Sequence, residues 1–164
     1  AADSRADRAA LGPGTRRGGM DARLRRVVRP ATRGLVARAP STAVLARVGL
    51  GLMVLLAGVH KLLDPGAWAV YVTDWLAPFL VLTPVGFMLL NGWLEVGFGI
   101  AILLDRYTAF AAGVAAVSLT ATVGYLAVVW ATAGRFGEIV AREVGLAARA
   151  WAVVVDALRG GTEG

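Results

Sequence analysis

The stretch TAVLARVGLGLMVLLAGVHKLL, residues 42–63, decides the fold class of this chain. Arg47 and Lys61 are the only residues in it that are fully charged at neutral pH. An α-helix needs about 20 predominantly apolar residues to cross a bilayer. The Pro40-Ser41 pair before the stretch provides a helix start, and Asp64-Pro65-Gly66 after it provides a stop. We therefore predict a membrane-spanning helix over residues 42–63.

The composition of the whole chain agrees with a membrane protein. Of its 164 residues, 57% are hydrophobic and 17% are charged, whereas about a quarter of the residues of a soluble domain are charged. The chain has no cysteine, which excludes a disulfide scaffold, a thiolate metal site and a dithiol redox relay. Its single histidine, His60, excludes bis-histidine haem ligation within one chain. Once these classes are excluded, the composition indicates a small integral membrane protein of one domain.

Three more helices are predicted after the first span. Residues 84–104 contain one charge, Glu95, and residues 107–134 contain none, so each is predicted to span the membrane. Residues 139–158 form an amphipathic helix that either spans with its polar face turned into a bundle or lies flat on the membrane surface. Its predicted apolar stripe is Val140, Val144, Ala147, Trp151, Val154 and Leu158, opposite Arg142, Arg149 and Asp156. The predicted fold class is all-α, a polytopic membrane four-helix bundle.

The positive charge is concentrated at the N-terminal end of the chain. Residues 1–40 hold ten arginines and three aspartates, for a net charge of +7, whereas residues 41–164 carry −1. Basic residues before a hydrophobic run fix membrane orientation, which argues against a nucleic-acid partner and favours a cytoplasmic N-terminus in the cell membrane. With four spans, both termini lie inside and residues 64–83 face out.

The predicted domain order is a basic tail over residues 1–40, a transmembrane domain over 41–158 and a disordered C-terminus over 159–164. Residues 1–19 have almost nothing to bury and are expected to be disordered. Residues 20–40 form either a basic amphipathic segment on an anionic leaflet or a flexible topogenic tail.

Glu95 is the most informative polar residue within the spans. It lies 11 residues into the second span, a depth of roughly 16 Å, where an isolated charge costs at least about 2.5–3.5 kcal/mol. It is either a paired structural carboxylate or a proton or ligand site, with Asn91 one turn away. The depth of Arg149 in the fourth helix predicts a Glu95–Arg149 pair, and Arg47 is expected to snorkel to the headgroups.

Two groups of residues mark the predicted outer end of the first span. His60, Lys61 and Asp64 form either a site for an anionic or quinone-like headgroup or a set of interfacial capping and snorkelling groups. The aromatic residues that follow are predicted to form an interfacial belt: Trp68, Tyr71 and Trp75. The sequence contains no metal-ligand cluster and no hydrolase, NTPase or metalloprotease motif.

Each of the first two predicted spans contains a motif. The first reads Arg47-Val-Gly-Leu-Gly-Leu followed by Ala57-Gly58-Val59-His60-Lys61-Leu62-Leu63, and the second reads Gly92-Trp-Leu-Glu95-Val-Gly-Phe-Gly99. They resemble the first-helix signature and the second motif of the DoxX family of small membrane proteins, which includes DoxD-like and MauE-like members. The resemblance covers residues 44–130, and Ala109 stands where the family usually has an arginine after the threonine of the next turn. No role of that turn is therefore carried over.

The resemblance implies a four-helix membrane protein. Some relatives are subunits of thiosulfate:quinone oxidoreductase, others accompany thiol or oxidative-stress enzymes, and MauE-type proteins assist maturation of exported redox enzymes. The leading hypothesis is a membrane subunit that docks a redox-enzyme partner and contributes a quinone-facing, proton-active Glu95. If the chain takes part in catalysis, it does so only as a subunit of a quinone-linked oxidoreductase. The alternatives are a non-catalytic scaffold or assembly factor and, ranked below it, a small-molecule transporter, for which no inverted repeat is visible.

Overall fold

The computed structural model describes residues 39–160, which are helical with no strand. The predictions for residues 1–38 and 161–164 lie outside the described residues. The α-helices are α1 (Thr42–Leu63), α2 (Pro65–Ala69), α3 (Pro84–Leu103), α4 (Thr108–Ala133) and α5 (Gly137–Gly160), and a 3₁₀ turn covers Ala77–Phe79. The all-helical class is confirmed, and α5 ends two residues beyond residue 158, the predicted end of the transmembrane domain.

Local capping explains where the helices begin. The Ser41 hydroxyl accepts a hydrogen bond from the Val44 amide at 3.3 Å, which confirms the predicted start of α1. The Asp64 carboxylate accepts the Ala67 amide at 3.1 Å, so the predicted stop after α1 also begins α2. Thr83 caps α3 in the same way, ahead of a proline at the first helical position.

Within residues 39–160, three helices are long and apolar enough to cross a membrane: α1, α3 and α4. Most of their large apolar side chains point away from the protein, as expected for helices that contact lipid rather than water. The predicted multi-pass membrane protein is thereby confirmed. The 24 residues of α5 reach about 36 Å at 1.5 Å per residue. Whether α5 crosses the bilayer or lies on its surface stays a prediction.

The buried face of α5 differs from the predicted stripe. Val140, Ala147 and Val154 are buried as expected, but Val144, Trp151 and Leu158 are exposed. The helix packs against both α4 and α1, and it turns its smaller residues inward while the large apolar ones face outward. The buried set is Val140, Glu143, Ala147, Ala150, Val153 and Val154.

Glycines bring α1 and α3 into close contact. A Cβ atom at Gly58 would lie 2.7 Å from the Gly92 carbonyl oxygen, and one at Gly99 would lie 2.6 Å from the Leu55 amide nitrogen. These neighbours are backbone atoms, so only glycine permits this approach. The face of α1 that carries Gly51 and Gly58 is thus filled by α3.

Candidate functional site

The Glu95 carboxylate on α3 pairs with the Lys61 ammonium on α1. The distance from Lys61 Nζ to Glu95 Oε1 is 2.5 Å, and the two side chains are 8% and 22% exposed. The predicted Glu95–Arg149 pair is therefore wrong. That prediction assumed that Lys61, two residues from the end of α1, lies at the membrane surface.

The packing of α1 on α3 explains why Lys61 is the partner. The last turn of α1 lies beside the middle of α3, since Leu62 contacts the position of Gly92. Side chains on a helix lean toward its N-terminus, so the Lys61 side chain leans back along α1 toward the deeper Glu95. The sequence position of Lys61 resembles that of an interfacial residue, but its side chain is buried.

One oxygen of Glu95 is left without a partner. Among the described residues, Glu95 Oε2 is the buried side-chain oxygen or nitrogen that makes no hydrogen bond. Asn91, one turn earlier on α3, is half-buried and its amide also makes no hydrogen bond within residues 39–160. An unpaired buried acceptor is costly in an apolar environment. Oε2 is therefore suited to accept a proton or a hydrogen bond from a ligand.

Trp68 on α2 covers Lys61 and contacts His60. Lys61 Nζ lies 4.6 Å from the centre of the Trp68 ring, and Trp68 Nε1 donates to His60 Nδ1 at 2.6 Å. Asp64 caps α2 and so fixes the position of Trp68. The structure does not gather His60, Lys61 and Asp64 around one ligand: His60 and Asp64 are exposed, whereas Lys61 points into the protein.

The predicted aromatic belt is largely engaged in packing. Trp68 contacts Tyr71 edge-to-face, and Tyr71 contacts Phe136 at a ring-centre distance of 5.1 Å. Trp75 packs on Tyr125 but is half exposed. These contacts tie the segment after α1 to α4 and to the turn before α5.

Glu143 on α5 is a buried carboxylate that the sequence analysis counted only as a charge. Its residue is 8% exposed, and its Oε1 accepts from Arg142 Nη2 at 3.0 Å. Its charge interacts with that of Glu95. The signal was available in its spacing, because Glu143 lies three residues after Val140 and four before Ala147 on the buried face.

The two remaining predicted site residues bind backbone carbonyls. Arg149 lies over Gly49 and donates to the carbonyls of Ala46 at 3.2 Å and Leu45 at 2.9 Å. Gly49 has no Cβ, which leaves room for the guanidinium. Within residues 39–160, Arg149 thus makes its polar contacts with the backbone of α1 and with no acidic side chain.

Arg47 connects the other ends of α1 and α3. Its Nη1 lies 3.2 Å from Asp105 Oδ2 and 3.3 Å from the Ile102 carbonyl. That Arg47 also reaches the headgroups stays a prediction, since its partner Asp105 is exposed.

Two apolar grooves lie on the outside of the described helices. One, of about 470 Å³, runs between α3 and α4 and is lined by Trp93, Phe98 and Phe110 among others. The second, of about 570 Å³, runs along α4 beside Trp151. Neither is lined by Lys61 or Glu95, so the ion pair and the grooves are separate features.

The sequence matches the DoxX family over residues 42–141, from the start of α1 to the first turns of α5. It has no significant match among curated proteins, and none among solved structures. The matched region contains both Lys61 and Glu95, while Glu143 and Arg149 lie beyond it. The chain belongs to the DoxX family.

Proposed function

We propose that this protein is an accessory membrane subunit of a redox complex, in which the Lys61–Glu95 pair binds the polar headgroup of a quinone. The observation that carries the proposal is the unpartnered, buried Oε2 of Glu95. Ionisable residues inside membrane spans commonly mark ion, proton or ligand sites, and an oxygen without a donor has room for a further hydrogen bond.

The donors and acceptors present fit such a headgroup. A quinol hydroxyl can donate to Glu95 Oε2, and the Lys61 ammonium has three protons, of which one is directed at Oε1. Trp68 adds a ring face beside the ammonium. A bound quinone would supply the two-electron chemistry, and electrons would come from the partner subunit.

The protein's own residues hold and compensate charge at this site. When Oε2 takes up a proton, the Lys61–Glu95 pair changes from neutral to positive. Glu143 supplies a negative charge that offsets part of this change, and its ion pair with the more exposed Arg142 reduces that charge without cancelling it. We propose that this balance allows Glu95 to gain and lose a proton without unfolding the site.

The proposed setting is the cell membrane, with the basic residues before α1 on the cytoplasmic side. α2 and the Lys61 end of α1 then belong to the outer half of the protein. A redox partner would approach from this side or within the membrane.

The first test is mass spectrometry of the full-length chain, purified gently from its native membrane. We expect lipid-soluble quinone and a redox-enzyme subunit to copurify with it. Glu95→Gln should lose the quinone, and Asp105→Asn, which alters an exposed acidic residue at the other end of α3, should keep it. Equal quinone content in both variants would contradict the proposal.

The alternative function is a non-catalytic scaffold or assembly factor. The glycine-mediated contact between α1 and α3 favours it, because an ion pair bridging two closely packed helices also has a purely structural use. In that case the purified protein carries no quinone, and Glu95→Gln changes only its yield or its association with a partner.

A further inference from the structure

The segment between α1 and α3 is apolar and exposed. We call residues 65–83 the cap segment; Asp74 is its one charged residue. Phe79 is 79% exposed and Val81 is fully exposed, and Val70, Trp75 and Leu82 are also exposed. A connection in contact with water would not be expected to present so continuous an apolar surface.

The packing of α1 on α3 places the end of α1, where the cap segment begins, closer to the middle of the protein than the start of α3. The backbone of Gly58 on α1 lies against that of Gly92, the ninth residue of α3. Five residues of α1 follow Gly58, whereas eight residues of α3 precede Gly92. The difference of three residues, at 1.5 Å each, means that α1 ends about 4–5 Å short of the level at which α3 begins.

The charge pattern places α3 across the whole hydrocarbon layer. Residues 75–104 contain one charged residue, the paired Glu95, and the next is Asp105. The 20 residues of α3 span about 30 Å, the thickness of a bilayer core. With α3 placed in this way, the end of α1 and the start of the cap segment lie below the membrane surface.

Most of the backbone of the cap segment up to Leu80 is hydrogen-bonded within the protein, as non-helical backbone at membrane depth requires. Tyr125 on α4 accepts the Thr73 amide at 3.0 Å through its hydroxyl, which also donates to the Tyr71 carbonyl at 2.6 Å. Other amides of the segment donate to carbonyls within it; the donors are Tyr71, Val72, Leu76, Ala77, Phe79 and Leu80.

We propose that the cap segment is immersed in the lipid of the leaflet at which α1 ends. Its occupant is lipid because the exposed surface continues onto the lipid-facing sides of the spans. Leu63 at the end of α1 is 80% exposed, and Val85 at the start of α3 is exposed as well. The cap segment then separates Lys61 and Glu95 from water while leaving their surroundings open to lipid-soluble molecules.

Single cysteines test the proposal, because the chain has none of its own. We would purify full-length Phe79→Cys and Val81→Cys and reconstitute each alone into vesicles of phosphatidylcholine and phosphatidylglycerol. Both side chains are exposed, so the substitutions remove no packing. The matched control is Arg135→Cys, an exposed position in the turn between α4 and α5, at the same end of the protein as the cap segment.

A charged maleimide is introduced on both sides of the vesicles by freezing and thawing. We expect the two cap cysteines to react at least about tenfold more slowly than Arg135→Cys, since the reagent does not enter the hydrocarbon. A fluorophore attached at either position should also be quenched by lipids brominated near the headgroup.

Two results would overturn the proposal. Rates equal to that of the control would place the cap segment in water. Slow reaction without quenching by brominated lipid would show that protein, in this preparation a second copy of the chain, covers the segment instead. Complete labelling after unfolding in SDS confirms that each cysteine is chemically intact.

Discussion

Two ion pairs connect α1 to α3 and the turn after it, one near each end of α1, but in very different surroundings. Lys61 and Glu95 meet at 2.5 Å with side chains 8% and 22% exposed. Arg47 and Asp105 meet at 3.2 Å with side chains 21% and 62% exposed. Coulomb energy rises steeply as the effective dielectric constant falls, so equal charges do not give equal interactions. The buried pair therefore constrains how α1 and α3 pack, whereas the exposed pair is replaceable.

The largest effect is expected from removing one member of the buried pair. Lys61→Met leaves the Glu95 carboxylate buried without its counter-charge, which typically costs about 3–5 kcal/mol. We expect a corresponding loss in the free energy of unfolding, measured by SDS titration in mixed micelles with circular dichroism. The double variant Lys61→Met, Glu95→Gln should recover most of the loss, because no charge then stays buried. A double variant no more stable than Lys61→Met would show that Lys61 stabilises by packing and not by charge.

The next effect tests whether close helix packing is what holds the buried pair together. Gly99→Ala places a Cβ against the backbone of Leu55, which cannot move aside without separating the helices. We expect a loss of about 1–3 kcal/mol in the same unfolding assay. Gly97→Ala is the matched control, since nothing lies within 4 Å of a Cβ there. Equal stabilities of the two variants would mean that α1 and α3 adjust freely to each other.

Arg149 is a third charged residue against α1, and among the described residues it binds backbone carbonyls and no acidic side chain. It therefore shows how much a charged group contributes without an ion pair. Gly49→Ala would displace the Arg149 guanidinium from the carbonyls of Leu45 and Ala46. Hydrogen bonds from a charged group contribute about 1.5–3 kcal/mol, and a flexible arginine recovers part of this by moving, so we expect a loss of about 1–2 kcal/mol. Gly113→Ala, with open space at its Cβ, serves as the control in the same titration. The expectation fails if Gly49→Ala is as stable as that control.

Much of the fold could be predicted from the sequence because membrane spans depend on local composition. The predicted first span coincides with α1, and the predicted bounds of the second and third differ from α3 and α4 by one residue at most at each end. The glycines of α1 and α3 are visible in the sequence too, and they allow close packing. These properties need only a run of apolar residues and small side chains within it.

The partner of Glu95 could not be predicted because it depends on how far two helices slide past each other. The predicted depth of each residue in the membrane is its distance from the end of its own span, which assumes that all spans begin at one level. On that assumption Lys61 lies at the surface and Arg149 lies beside Glu95. The register of α1 on α3 is set by contacts between glycine backbones, including Gly58 with Gly92. The rotation of α5 was not predicted for a related reason: its stripe was chosen by hydrophobicity, whereas Val144 and Trp151 are exposed and Glu143 is buried.

The smallest effect is expected at the exposed pair. Asp105→Asn removes the charge opposite Arg47, and an exposed ion pair contributes about 0–1 kcal/mol. Asp105 also has a positive φ of 56° and accepts a hydrogen bond from the Thr108 hydroxyl at 2.7 Å. Asparagine tolerates that backbone conformation and offers an oxygen to the same hydroxyl, so the turn between α3 and α4 should be kept. We expect a change in unfolding free energy of less than about 1 kcal/mol, which becomes smaller still as salt is added. A loss as large as that of Lys61→Met would show that the turn is shielded from water in the membrane, and the two ends of α1 and α3 would then be alike.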